Sequence, residues 1–253
     1  MIAASVWEPR GMGCVCYRLV DVVYPAAKAV FWPGLRYGLR WTMEGLANIP
    51  ARGPVILASN HVSYLDPLTL GFVAAHRERR VRFLAKAELF AKPGLGPLLR
   101  GAHQIPVARG SRDAAGALAA AVDALGRGEC VAVFPEGTIS LDLEPMRGKS
   151  GAARLAQQAR VPVVPVGLWG THRILMKGRK PDWKWGVAEV AVVGEGFVVD
   201  PAARVRDATD QIMNAITECV ARARALYPQR PDPSEDDWWW RDPETAGAHR
   251  RTA

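Results

Sequence analysis

Between residues 54 and 200, short apolar runs alternate with stretches of helical pattern, and few folds accept that alternation. Val55 to Ala58, Val81 to Ala85, Gln104 to Ala108, Cys130 to Phe134, Val161 to Leu168 and Ala188 to Val193 read as strands. The segments between them read as helices. Arg112 to Gly126 is rich in Ala and Leu and ends at a glycine; Lys149 to Arg160 is similar and is stopped by Pro162. Strands separated by helices of this length predict an α/β fold, with a mixed, mostly parallel central sheet flanked by helices. Asp207 to Tyr227 carries Ile212, Ile216, Val220 and Leu226 at helical spacing and closes the domain. A chain of 253 residues, 49% hydrophobic, is enough for one sizeable core.

Three regions follow: residues 1–45, 46–227 and 228–253. In the first, the stretch from Cys14 to Trp41 is apolar but interrupted by Arg18, Asp21, Lys28 and Arg36, and by Pro25 and Pro33. It falls short of the roughly 20 mostly apolar residues of a membrane span. It reads as an amphipathic helical pair broken near one of the prolines. Its aromatics (Tyr17, Tyr24, Phe31, Trp32, Tyr37, Trp41) admit two readings, helices lying in a membrane interface or helices packed on the core. The third region is acidic and carries Trp238, Trp239 and Trp240, which either dip into an interface or clamp the tail to its own domain.

The net charge is +8. Four Arg and six acids from residue 228 onward leave 29 basic and 19 acidic residues before it, so the body carries +10. Such a body suits anionic partners. The cations are spread out and no motif places a helix in a groove, so nucleic acid is not expected. Cys14, Cys16, Cys130 and Cys219 make no disulfide framework and no metal-ligand spacing. No secretory signal is read at the N-terminus.

Two strand ends carry the chemistry. Asn60-His61-Val62-Ser63-Tyr64-Leu65-Asp66-Pro67 follows the first apolar run, and Asp66-Pro67 has the form of a helix start. A carboxylate five residues after His61 can return to one imidazole nitrogen and make the other a general base for an alcohol. Asp66 as a plain helix cap beside a loop histidine is the alternative. Phe134-Pro135-Glu136-Gly137-Thr138-Ile139 also follows a strand; its backbone N–H groups and the Thr138 hydroxyl can hold a phosphate or an oxyanion. Gly148-Lys149-Ser150 is not the end of a phosphate loop, because Leu143 stands where the upstream glycine is needed. No G-x-S-x-G elbow makes Ser63 a hydrolase nucleophile.

Taken together, the sequence resembles the glycerolipid acyltransferases, the 1-acylglycerol-3-phosphate acyltransferases and their relatives. Four blocks in family order carry the resemblance: Asn60-His61-x-Ser63-x-x-Asp66, Gly101 to Arg109, Phe134 to Thr138, and Val161-Pro162-Val163-Val164-Pro165-Val166. The resemblance implies transfer of a long-chain acyl group from acyl-CoA or acyl carrier protein to lysophosphatidate or glycerol-3-phosphate. It implies His61 as general base and Asp66 as its orienting carboxylate, without a covalent intermediate, metal or resident cofactor. Asn60, Ser63, Lys86, Arg109, Glu136, Gly137, Thr138 and Lys149 would bind substrate. The N-terminal helices would rest in one leaflet at the cytoplasmic face of the membrane. Another lysolipid or a glycolipid as acceptor, and a lipid-binding protein on an inactivated fold of this kind, are the alternatives. One departure stands out: the family's Arg after E-G-T is Ile139 here. A phosphate contact is therefore missing or comes from elsewhere, with Arg147, Lys149 and Arg109 as candidates.

Overall fold

The computed structural model describes residues 23–107, 113–232, 234 and 236–240. The chain enters as helix α1 (Val23–Gly38) and passes directly into strand β1 (Leu39–Glu44). Strand β2 (Val55–Ser59), helix α2 (Asp66–Ala75) and strand β3 (Val81–Lys86) follow. Next come α3 (Leu95–Gly101), β4 (Ile105–Val107), α4 (Asp113–Gly126) and β5 (Cys130–Val133). The chain ends with α5 (Gly151–Ala159), β6 (Val163–Trp169), β7 (Val187–Val193) and α6 (Val205–Ala225).

The strands form one sheet in the order β1-β7-β6-β2-β5-β3-β4. Strands β2 to β6 are mutually parallel, with Ile56 opposite both Val131 and Val163. Strand β7 runs antiparallel to β6, and β1 runs parallel to β7. This is the mixed, mostly parallel sheet that the alternation predicts. Every residue of β2, β5, β6 and β7 is buried, as expected when helices cover both faces. Successive side chains of a strand point to opposite faces. Ile56 and Ala58 therefore join the core under α4, α5 and α6, while Val55 and Leu57 join the core under α2. Parallel pairing puts the carboxyl ends of β2, β3, β5 and β6 on one edge, where α/β folds gather ligands.

Two expectations need correction. The predicted break near Pro25 or Pro33 does not occur. Pro25 lies in the first turn of α1, where a missing N–H costs nothing, and Pro33 is exposed within an unbroken helix. Residues 39–44, read as the end of a helix, form β1. Leu39, Trp41 and Met43 alternate there with Arg40, Thr42 and Glu44, which is strand period rather than helix period. The sheet thus begins ahead of the boundary expected at residue 45. The other member of the predicted helical pair, with Cys14 and Cys16, lies outside the described residues. Among the described residues no helix is long and apolar enough to cross a membrane.

The described part of the tail is clamped to the domain. Trp239 is 4% exposed and belongs to the main core. The Arg173 guanidinium lies 3.7 Å from its ring centroid, and that of Arg179 3.8 Å from Trp238. Buried His172 takes the tail's backbone: its Nε2–H donates to the Trp239 carbonyl at 3.1 Å, and its Nδ1 accepts from Gly170 N–H at 3.3 Å.

Candidate active site

The loop after β2 is held at nearly every polar atom. Asn60 is buried; its amide Nδ2 donates to the Leu168 carbonyl at 2.9 Å and its Oδ1 accepts from Leu168 N–H at 2.8 Å. This pairing sews the loop to the end of β6. Buried Ser63 donates to the Leu175 and Thr171 carbonyls and accepts from Leu65 N–H. His61 is gripped by its backbone. Its N–H donates to Glu136 Oε1 at 2.9 Å and its carbonyl accepts from Ser140 N–H at 2.8 Å.

Inside this frame His61 Nδ1–H donates to Asp66 Oδ2 at 2.8 Å. A carboxylate can only accept here, so the neutral imidazole carries its proton on Nδ1 and presents Nε2 as a base. Among the described residues Nε2 has no hydrogen bond, and the side chain is 17% exposed. The ring stacks on Phe134, centroids 4.3 Å apart at 22°, which fixes its plane.

Asp66 is fully buried. The same Oδ2 accepts from Val62 N–H at 2.7 Å and Ser63 N–H at 2.8 Å, and Oδ1 accepts from the Thr171 hydroxyl at 3.3 Å. Asp66 is thus the first residue of α2 rather than its cap, a place held by Leu65. Its carboxylate turns back into the loop instead of forward onto helix N–H groups. Of the two readings of this aspartate, the geometry selects the imidazole partner.

The turn after β5 lies against the same histidine. Glu136 is buried, with Oε2 accepting from Met146 N–H at 3.1 Å. Both its oxygens accept from backbone N–H groups, so it braces the site from behind instead of reaching toward an acceptor, the role that the resemblance implies. Burial pushes its carboxyl up to about 7, against the two N–H groups that favour the charged form. Gly137 has φ +69°, a left-handed turn position suited to glycine. A Cβ there would sit 2.9 Å from Lys149 Nζ, because that exposed side chain lies across it. Gly137 N–H is spent on the Phe134 carbonyl at 2.9 Å. Thr138 is half-buried between Glu136 and Ser140, the two residues that hold His61.

Lys86 is exposed at the carboxyl end of β3, on the same sheet edge. Arg109 lies outside the described residues. Arg147 is exposed, and Ile139 is buried at 5%. Three residues escaped the sequence reading. Lys177, exposed in the β6–β7 connection, brings its Nζ within 3.4 Å of the Thr138 hydroxyl. Thr171 and Glu189 extend the buried chain behind Asp66: Thr171 N–H donates to Glu189 Oε2 at 2.7 Å. Burial, and then the nearby Asp66 charge, hold the Glu189 carboxyl well above the usual range. No local motif marks these positions; they become neighbours only through the β6–β7 reversal. A separate cleft lined by Arg82, Phe90, Arg100 and His103 sits toward the amino ends of β3 to β5; among the described residues, none of the predicted site residues lines it.

The arrangement places an imidazole of fixed tautomer in a frame of buried hydrogen bonds, with Lys177 and Lys149 at the neighbouring turn, at Thr138 and Gly137. The profile of the Acyltransferase family matches residues 40–169, which is 130 of 253 residues. The chain is 31% identical over 182 residues to the 1-acyl-sn-glycerol-3-phosphate acyltransferase of Chlamydomonas reinhardtii, covering 71% of this chain and 52% of that protein. It is 30% identical over 223 residues to the alpha form of that enzyme from Mus musculus, covering 85% and 75%. The chain spans about half the length of the first curated relatives it matches. The crystal structure of the 1-acyl-sn-glycerophosphate (LPA) acyltransferase PlsC from Thermotoga maritima superposes with a TM-score of 0.59 at 29% identity, covering 85% of this chain and 82% of that one. The chain belongs to the acyltransferase family that contains the 1-acyl-sn-glycerol-3-phosphate acyltransferases.

Proposed function

We propose that the chain transfers a long-chain acyl group from acyl-CoA to the hydroxyl of lysophosphatidate, at the cytoplasmic face of a membrane. The observation that carries the reading is the 2.8 Å His61–Asp66 contact, with Nε2 left as the base. Nε2 takes the acceptor's hydroxyl proton as the oxygen attacks the thioester carbonyl. The C–O bond forms, the C–S bond breaks, and the imidazolium returns its proton to the departing CoA thiolate. Asp66 stabilises the transient imidazolium. His61 itself forms no covalent bond in this scheme.

The acceptor's phosphate is held by Thr138 with Lys177 and Lys149. The two lysines replace the cation that Ile139 lacks. Lys149 lies over Gly137, and Lys177 approaches Thr138 from the opposite connection. Lys86 stands on the same edge. Glu136, Asn60 and Ser63 keep these parts in place. A long acyl chain contributes about 0.8 kcal/mol per buried methylene, so donor affinity is carried largely by the tail.

Thiol release from palmitoyl-CoA tests the reading, with lysophosphatidate, glycerol-3-phosphate or no acceptor. The expected result is release that depends on lysophosphatidate. Lys177→Ala is expected to raise the KM for that acceptor about tenfold, the loss of one charge-assisted contact, with kcat little changed. Release that needs no acceptor marks a thioesterase and overturns the proposal. Absence of release with either acceptor and with either a CoA or a carrier-protein donor leaves a lipid-binding role on this fold.

A further inference from the structure

The connection between β6 and β7 has a feature that acyl transfer does not require. Every residue from 177 to 185 is exposed. Within it Trp183 is 71% and Trp185 78% exposed. Two neighbouring tryptophans in water form an apolar patch of the sort that marks an interaction site. The loop is not loose at its base. Asp182 N–H donates to the Ile174 carbonyl at 2.9 Å, and Gly186 N–H donates to the Gly38 carbonyl at 2.8 Å. One edge of the Trp185 ring rests on Gly38, where a Cβ would come within 2.8 Å of it.

That contact joins the loop to α1. The inner side of α1 is packed, with Trp32 4.3 Å from Phe72. On its outer side Ala26, Val30, Pro33 and Tyr37 recur at helical spacing and all are exposed, Val30 at 71% and Tyr37 at 76%. Gly38 follows Tyr37 directly, so Trp185 continues the apolar stripe. The same border reaches the catalytic loop, because Tyr64 N–H donates to the Leu175 carbonyl at 3.1 Å and Tyr64 is 54% exposed.

The charges favour one occupant. Lys177, Arg179, Lys180 and Lys184 stand against a single acid, Asp182, which pairs with Lys184 at 3.0 Å. Arg179 is engaged by Trp238 and Asp236. Tryptophans with lysines at a rim suit the headgroup layer of an anionic bilayer, where the rings sit at the boundary and the cations meet phosphate.

We infer that residues 177–185 are a second membrane-seating element, which acts with the outer face of α1 to set the His61 opening against an anionic lipid leaflet. The inference rests on the reading of a lipid substrate, and it is tested by binding alone.

The experiment is co-sedimentation of the full chain with vesicles of phosphatidylcholine, with and without phosphatidylglycerol. Three variants run alongside: Trp183→Ala with Trp185→Ala, Lys180→Ala with Lys184→Ala, and Val198→Ala as a control for an exposed apolar residue on the opposite sheet edge. The tryptophan pair is expected to weaken binding to both vesicles about tenfold or more. The lysine pair is expected to weaken binding only to anionic vesicles, by about fivefold per lysine. Val198→Ala changes neither, and unfolding midpoints stay at the wild-type value.

Binding within about twofold of wild type for both loop pairs overturns the inference. So does sedimentation velocity showing a dimer that the tryptophan variant dissolves, since the patch would then seat a second copy. Acyl transfer in detergent micelles, measured on the same proteins, separates the claims. Its absence from wild type defeats the acyl-transfer reading, while the vesicle data still decide the loop.

Discussion

Asp66 Oδ2 accepts three hydrogen bonds, two from the backbone of the loop it follows and one from His61. A carboxylate so occupied cannot swing away, so the imidazole tautomer is set before any substrate arrives. The His-x4-Asp spacing was legible as chemistry because a strand and a helix start flank it. The roles of its neighbours were not. Glu136, Asn60 and Ser63 are polar residues beside the His61–Asp66 pair, and sequence alone invites reading them as substrate contacts. Burial reverses that, since every oxygen of Glu136 meets an N–H of its own chain. Glu136 also carries a pH signature. Its folded pKa of about 7 lies above the ordinary 4.5. Between those values the folded protein keeps a proton that the unfolded chain has lost, so this group's contribution to stability falls as pH rises through that window. Glu136→Gln removes the titration. The stability gap between wild type and the variant should shrink by about 1–3 kcal/mol from pH 4.5 to pH 7, followed by denaturant unfolding. A gap that does not move with pH would show that Glu136 does not titrate there.

At the scale of elements, the apolar strands and the helices α4, α5 and α6 were readable because one period dominates each. Residues 39–44 were not, although Leu39, Trp41 and Met43 alternate cleanly. Six residues of strand period directly after a helix with no turn between them look like its last turns. The tail is the other case. Its tryptophans left an interface and a clamp both open, and the structure takes the clamp: Trp239 enters the core and its carbonyl accepts from buried His172. His172 and Thr171 share the short 3-10 helix Thr171–Arg173, and Thr171 donates to Asp66. The tail therefore supports the His61 loop from behind. Trp239→Ala should cost about 3–5 kcal/mol, the usual loss for a buried tryptophan, read as a lowered thermal midpoint. A loss under about 1 kcal/mol would mean that the tail is only draped on the surface.

For the whole molecule, the parallel sheet explains why distant motifs make one site. The loops after β2 and β5 leave from neighbouring strands in the same direction, so His61 and the Glu136 turn must meet. The β6–β7 reversal then returns Thr171 and Lys177 to that edge. This last convergence was hidden from the sequence because it depends on strand order, and strand order depends on long-range pairing. The basic body, the exposed aromatics of α1 and the 177–185 loop all suit a chain working where anionic lipid meets water. The central claim is that His61 removes the acceptor's proton. Its most direct test is the rate of lysophosphatidate-dependent thiol release by His61→Ala, with the unfolding midpoint measured on the same sample. The account predicts a fall of about 10²–10⁴ with folding intact, whereas a rate within about threefold of wild type would contradict it.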